Sequence, residues 1–196
     1  MKDGEKKFGP WIVHHRTKDT TIGFHPRTHF VKKESGKKDE FYLLKIITRL
    51  EDDVSPEVEA LKSLSHPNIQ KMVDYDLYHD PPYFVSEYYK GTTMENLSTR
   101  NWTASERLSF IQQICSAIEY MAERGYTKSD WKPGNIFLKE GRKVPVIGDF
   151  ESAKKTDPYK NYDADMIIGD WLFNRLLKRK LKPLRISQKK QRIESL

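Results

Sequence analysis

The sequence holds one cysteine, no long apolar run, no internal repeat and no low-complexity tract. Cys115 on its own forms no disulfide within the chain, and its place in the apolar run IQQICSAI reads as a small buried hydrophobe. A disulfide-stapled secreted scaffold is thereby excluded, and a reducing intracellular compartment, cytoplasm or nucleus, is expected. No stretch approaches the roughly 18 consecutive apolar residues that a spanning helix needs, so no membrane span is expected. The opening MKDGEKKF is charged and leads into no apolar run, which predicts that no signal peptide is present. The lack of a repeat argues against a solenoid.

What is present suits a folded core. Hydrophobic residues make up 37% and charged residues 32% of the chain, and nine Phe, ten Tyr and four Trp supply large groups to bury. At 196 residues the chain fits one domain, or one domain split into two lobes. The net charge of +7 is unevenly placed: RLLKRKLKPLRISQKKQR, from Arg175 to Arg192, is rich in bases and has no acid. Such a block attracts nucleic acid, an acidic protein, anionic lipid or a nuclear-import receptor, although a solvated tail has the same composition.

Read for periodicity, the chain divides in two. WIVHH and THFVKK are short β-like pieces, and FYLLKIIT is short, apolar and bounded by charge, as a buried strand is. SPEVEALKSLS predicts a helix, with Ser55 as N-cap, Pro56 in the first turn, and Val58, Leu61 and Leu64 on one face. IQKMVDYDLYH and PPYFVSEYY predict two more strands around a turn at Asp80-Pro81-Pro82. After Gly91 the character changes. From Ser105 to about Arg124 the apolar residues Leu108, Ile111, Ile114, Ala117, Ile118 and Met121 have helical spacing, and Gly125 is placed to stop the helix. NIFL and VPVIGDF follow as strand-like pieces about a turn at Glu140-Gly141-Arg142, and a last helix is predicted from about Ala164 to Arg179. The expected architecture is α+β: a small β-rich lobe over residues 1–88, a reduced, mainly helical lobe over 89–178, and a basic tail over 179–196.

The strongest chemical signal is SDWKPGNIFL followed by VIGDFESA. Asp130 and Asn135 stand five residues apart in a short Pro/Gly loop, and Asp149 ends an apolar strand fourteen residues beyond Asn135. Magnesium takes hard oxygen ligands, commonly one or two carboxylates together with substrate phosphates, so this layout suits Mg²⁺ on a polyphosphate. Asp130 is then left to orient an attacking hydroxyl.

SDWKPGN resembles the catalytic loop of protein kinases, HRDLKPxN, and DFE resembles their DFG motif. That resemblance implies a bilobal kinase fold that binds ATP and Mg²⁺, with Asp130 as the catalytic aspartate and Lys132 as the lysine that neutralises the transferred phosphate. It makes Asn135 and Asp149 the metal ligands. FYLLKI is similar to the strand bearing the ATP-gripping lysine, which implies that role for Lys45, and EVEALKSLSHPNI is similar to helix C, with Glu57 as the partner of Lys45. YFVSEYYKGTTMENL resembles the hinge, where Glu87 and Tyr89 would offer backbone groups to adenine behind a small gatekeeper, Ser86. DADMIIGDW resembles the start of helix F, whose aspartate, Asp165 or Asp163, braces the catalytic loop.

The departures from the family pattern are specific. No GxGxxG is present; the nearest counterpart is FHPRTHFV, with Phe24, Pro26 and His29 where glycines are expected. Lys128 and Ser129 stand in place of the His and Arg before the catalytic aspartate. That arginine normally receives an activation-loop phosphate, so control by loop phosphorylation is not expected. Glu151 replaces the DFG glycine. About a dozen residues separate DFE from the helix F segment, no APE appears, and the chain stops soon after, so the later C-lobe helices are expected to be missing. The sequence therefore predicts a trimmed Ser/Thr protein kinase acting on a protein substrate, the Ser/Thr preference resting on the lysine of KPGN. Competing readings are a pseudokinase serving as a binding or decoy module, and a nucleic-acid-associated module using the basic tail. The histidines His14, His15, His25 and His29 fit no zinc spacing.

Overall fold

A computed structural model describes residues 6–14, 27–36, 40–48, 55–139, 141, 143–162 and 165. The basic tail, Phe24, Pro26, Asp163 and nearly all of the last predicted helix lie outside the described residues.

The first lobe is built on one antiparallel sheet. Its strands are β1 (Lys7–Phe8), β2 (Trp11–Val13), β3 (Thr28–Lys33), β4 (Tyr42–Ile46), β5 (Met72–Asp76) and β6 (Tyr83–Glu87), in the order β1-β2-β3-β4-β6-β5. Side-chain alternation gives the sheet two uses. One face carries Val31, Leu44, Tyr83 and Val85, which close over Phe8 and Trp11 in a small core. The other carries Lys45 and Phe84, paired across β4 and β6, and Phe84 joins the main core.

Helix α1 (Pro56–Ser63) starts as its sequence predicts, with the Ser55 hydroxyl accepting the Val58 N–H at 3.4 Å and proline in the first turn. Val58, Leu61 and Leu64 are buried in the main core, which holds Glu57 on the neighbouring side of the helix towards Lys45. Within Phe24 to Val31, the segment nearest to the family's phosphate-covering loop, strand β3 begins at Thr28 and sets His29 opposite Leu44.

The second lobe is smaller and mainly helical. Helix α2 (Ala104–Glu123) buries Phe110, Ile111, Ile114, Ala117, Ile118, Met121 and Ala122, and it packs on the short strands that follow it. Each fully buried large residue of this kind contributes about 1.5–3 kcal/mol. Leu108, expected on that stripe, is 47% exposed. At about 100° per residue it falls roughly 110° from the stripe's centre, and Phe110 takes the buried place. The helix begins one residue earlier than its apolar pattern, because Thr103 and Glu106 form a capping box. It ends at Gly125, whose φ of +67° and contact with the Thr156 carbonyl leave no room for a Cβ.

Among the described residues four short strands accompany α2 in this lobe: β7 (Tyr126–Lys128), β8 (Ile136–Leu138), β9 (Pro145–Ile147) and β10 (Ala153–Lys155). β8 pairs with β9, as NIFL and VPVIGDF predict, and β7 pairs with β10. The lobes are sewn together at residues 68–70. Ile69 bridges Ile147 in parallel, the Ile147 N–H donates to the Asn68 carbonyl, and the Gln70 N–H donates to the Ile147 carbonyl, both at 2.8 Å.

Candidate active site

The two lobes place the predicted residues around one cleft. From β4, the Lys45 Nζ lies 2.8 Å from Glu57 Oε2, 3.1 Å from Asp149 Oδ1 and 3.3 Å from Glu151 Oε2. Burial works against the Lys45 ammonium, but Glu57, Asp149 and Glu151 together hold its pKa above the ordinary lysine value. Glu57 is itself buried, and that burial pushes its carboxyl up despite the lysine beside it. Glu151 also meets the Arg27 guanidinium at 3.3 Å, and Arg27 donates to the Thr48 hydroxyl at 2.8 Å. The residue that replaces the family's glycine thus sits in an ion network with Lys45.

Asp149 has a φ of +57°, an uncommon conformation that Asp tolerates better than most residues. It is fixed from behind. Its N–H donates to Gln70 Oε1 at 3.1 Å, and the Gln70 amide donates to the buried Ser86 hydroxyl at 2.8 Å. A Cβ on Gly148 would collide with the Phe137 ring, so glycine there is a packing requirement. Sequence reasoning assigned nothing to Gln70; a lone glutamine between a turn and a strand carries no local signal.

In the SDWKPGN loop, Asp130 is surrounded by donors. Lys128 Nζ lies 2.5 Å from its Oδ1, and the Ser152 hydroxyl donates to the same oxygen. Asn135 Nδ2 is 3.3 Å and Lys132 Nζ 3.7 Å from Oδ2. Burial raises the Asp130 carboxyl, but the Lys128 ammonium, the Ser152 hydroxyl and Lys132 bring its pKa below the usual value. Asp165 is buried and accepts from Trp131 Nε1 and the Thr127 hydroxyl, each at 2.8 Å, so it ties the loop to the segment that follows it. Trp131 thus both packs against the main core and donates.

At the hinge, the Glu87 N–H donates to the Lys71 carbonyl at 2.9 Å, and its carboxylate pairs with the Lys71 ammonium at 3.2 Å. Tyr89 is buried, with its ring 6.2 Å from that of Phe137, and its hydroxyl accepts the Lys71 N–H at 3.1 Å. Burial pushes that hydroxyl up to about 12.

The donor chemistry fits magnesium. Asn135 spends its amide N–H groups on Asp130, which leaves the amide oxygen as its acceptor, and Asp149 supplies carboxylate oxygens. Among the described residues no three His, Cys, Asp or Glu side chains gather into a cage, so any further ligands would come from phosphates and water.

Comparison with known proteins agrees with this geometry. The protein kinase domain model matches residues 29–182. The chain belongs to the protein kinase family. It is 26% identical over 177 residues to the serine/threonine-protein kinase atg1 of Dictyostelium discoideum, a match covering 81% of this chain and 25% of that protein. It is 36% identical over 107 residues to the ovarian-specific serine/threonine-protein kinase Lok of Drosophila melanogaster, covering 53% of this chain and 22% of the relative. It is 29% identical over 163 residues to the inhibitor of nuclear factor kappa-B kinase subunit alpha of Xenopus laevis, covering 76% and 22%. The chain therefore spans about a quarter of the length of these relatives. No helix among the described residues is long and apolar enough to cross a membrane.

Proposed function

We propose that this chain is an ATP- and magnesium-dependent protein kinase that transfers the γ-phosphoryl group to serine or threonine hydroxyls of a protein substrate. The observation that carries the reading is the Lys45 ammonium, held at 2.8 Å by Glu57 and reaching Asp149 at 3.1 Å across the cleft. Lys45 grips the phosphates while Glu57 keeps it aimed. Asn135 and Asp149 would hold magnesium, which when bound offsets charge on the phosphates. Asp130 accepts a hydrogen bond from the acceptor hydroxyl and orients it, and Lys132, about half exposed at the cleft, meets the transferred group. Glu87 and Tyr89 border the adenine. Catalysis of this kind is positioning and charge stabilisation.

The test is transfer of radiolabelled phosphate from ATP with Mg²⁺, with a generic basic protein and the enzyme itself as acceptors, in wild type and Asp149→Ala. Transfer by the wild type and a loss of at least about 1000-fold in a folded D149A variant are expected. Full activity in that variant sinks the assignment.

A second reading, a pseudokinase that binds nucleotide or a partner without turnover, draws support from Asp130 and Lys45. Lys128 and Ser152 occupy one oxygen of Asp130, and Glu151 shares Lys45 with Asp149. Nucleotide binding without transfer in the wild type would favour it. Binding of nucleic acid or an acidic partner through residues 175–192 is a separate proposal, which removal of that segment tests.

A further inference from the structure

Lys128 is fully buried at the last position of β7. The register of the β7–β10 ladder sets it opposite Ala153. One strand runs forward into the loop bearing Asp130, and the other is entered from the loop bearing Asp149. The Lys128 ammonium crosses between these loops. It lies 2.5 Å from Asp130 Oδ1, donates to the main-chain carbonyl of Asp149, and sits 5.7 Å from the centre of the Phe150 ring. An ammonium has three N–H donors, and a carboxylate, a carbonyl and a ring face are what this burial offers them. Ser152 adds a second tie from the same loop, donating to Asp130 Oδ1 and accepting the Asp130 N–H at 3.2 Å.

We infer that Lys128 is a positioning residue: its ammonium, held between the Asp130 carboxylate and the Asp149 carbonyl, fixes the hydroxyl-orienting loop to the metal-binding loop without any phosphate on the segment after Phe150. Ser129 stands where the phosphate-reading arginine of the family would be, and the internal cation one residue earlier supplies the missing positive charge. The ammonium and the Ser152 hydroxyl together occupy Oδ1. Among the described residues Oδ2 has only the longer contacts, 3.3 Å from Asn135 and 3.7 Å from Lys132, and is the oxygen that meets the acceptor hydroxyl. Lys128 itself touches neither substrate.

The inference rests on the kinase reading, and two measurements on the full chain separate their failures. Lys128→Met removes the donors at nearly constant length; Lys128→Gln keeps amide N–H donors without the charge. In K128M, kcat should fall about 100-fold with the KM for Mg-ATP changed less than about threefold, as expected for lost orientation. Amide exchange over residues 126–132 and 148–155 should accelerate at least about tenfold. K128Q should recover about tenfold of the lost kcat and part of the protection. A K128M enzyme with wild-type kcat, or a K128Q variant no better than K128M, overturns the inference. If the wild type itself transfers nothing, the kinase reading fails and exchange alone decides: unchanged protection in K128M overturns the clamp. If K128M does not fold, K128Q is set against wild type, and exchange no faster than wild type in K128Q overturns it.

Discussion

Two lysines meet Asp149, Lys45 at its carboxylate and Lys128 at its main-chain carbonyl, and their surroundings differ. Lys45 is 18% exposed in its side chain and has three carboxylates within 3.3 Å. Lys128 is sealed from solvent, with one carboxylate, one carbonyl and one ring. A cation that opens to water and has anions to spare can exchange a partner for phosphate at modest cost. A sealed ammonium cannot, because any partner it loses leaves a charge uncompensated in the interior. The cleft thus pairs a lysine suited to exchange with a lysine suited to holding, and their positions relative to the sheet decide which is which. Lys45 reaches from β4 to Glu57 and Asp149 with part of its side chain in solvent, whereas Lys128, at the end of β7 in the β7–β10 ladder, is sealed.

The comparison breaks most visibly at Lys45. Lys45→Met should cut phosphoryl transfer at least about 1000-fold and weaken Mg-ATP about tenfold. Transfer kinetics and equilibrium nucleotide titration check both, and transfer within tenfold of wild type would remove Lys45 from the phosphate site. Next in size is an attack on the ladder that buries Lys128. Gly125→Ala puts a Cβ at a positive φ against the Thr156 carbonyl, where Thr156 N–H also donates to Gly125 at 2.7 Å. A loss of about 2 kcal/mol is expected, read from the urea midpoint at constant slope. An unchanged midpoint would mean that the ladder tolerates opening and cannot be what seals Lys128. The smallest effect concerns the surplus anion. Glu151→Gln should tighten Mg-ATP about threefold, because Glu151 is half exposed and its competition for Lys45 is screened. Weaker binding in E151Q would recast Glu151 as a support of the site rather than a rival for its lysine.

The parts of the site that were legible in the sequence are those that local chemistry fixes. Ser55-Pro56 announces α1, the helix then carries Glu57, and the apolar neighbours of Lys45 mark its strand. Asp130, Asn135 and Asp149 were legible because their spacing within a turn and at a strand end is itself the geometry. What escaped depends on which segments meet. The pairing of β7 with β10 links residues with no shared periodicity, so the role of Lys128 had no trace in the motif it alters. Gln70, Ser86 and Asp149 are joined by hydrogen bonds across three separate elements. Leu108 misled because helical spacing defines a stripe only to within one turn, and the neighbouring Phe110 competes for the same core. The Thr103–Glu106 capping box, in contrast, was present as a local pattern and would have fixed the start of α2.

The stitching of residues 68–70 to β9 has a mechanical consequence. Ile69, bonded through its neighbours to Ile147 and flanked by the Asn68 amide on the Pro145 carbonyl at 2.8 Å, is placed where an axle between the lobes would lie. Gln70 and Asp149 sit beside this stitch, so a rotation of the lobes about it would move them through small arcs. Points at the mouth of the cleft have a longer lever arm and sweep further for the same rotation. Such a rotation would open or close the mouth of the cleft with its floor nearly still.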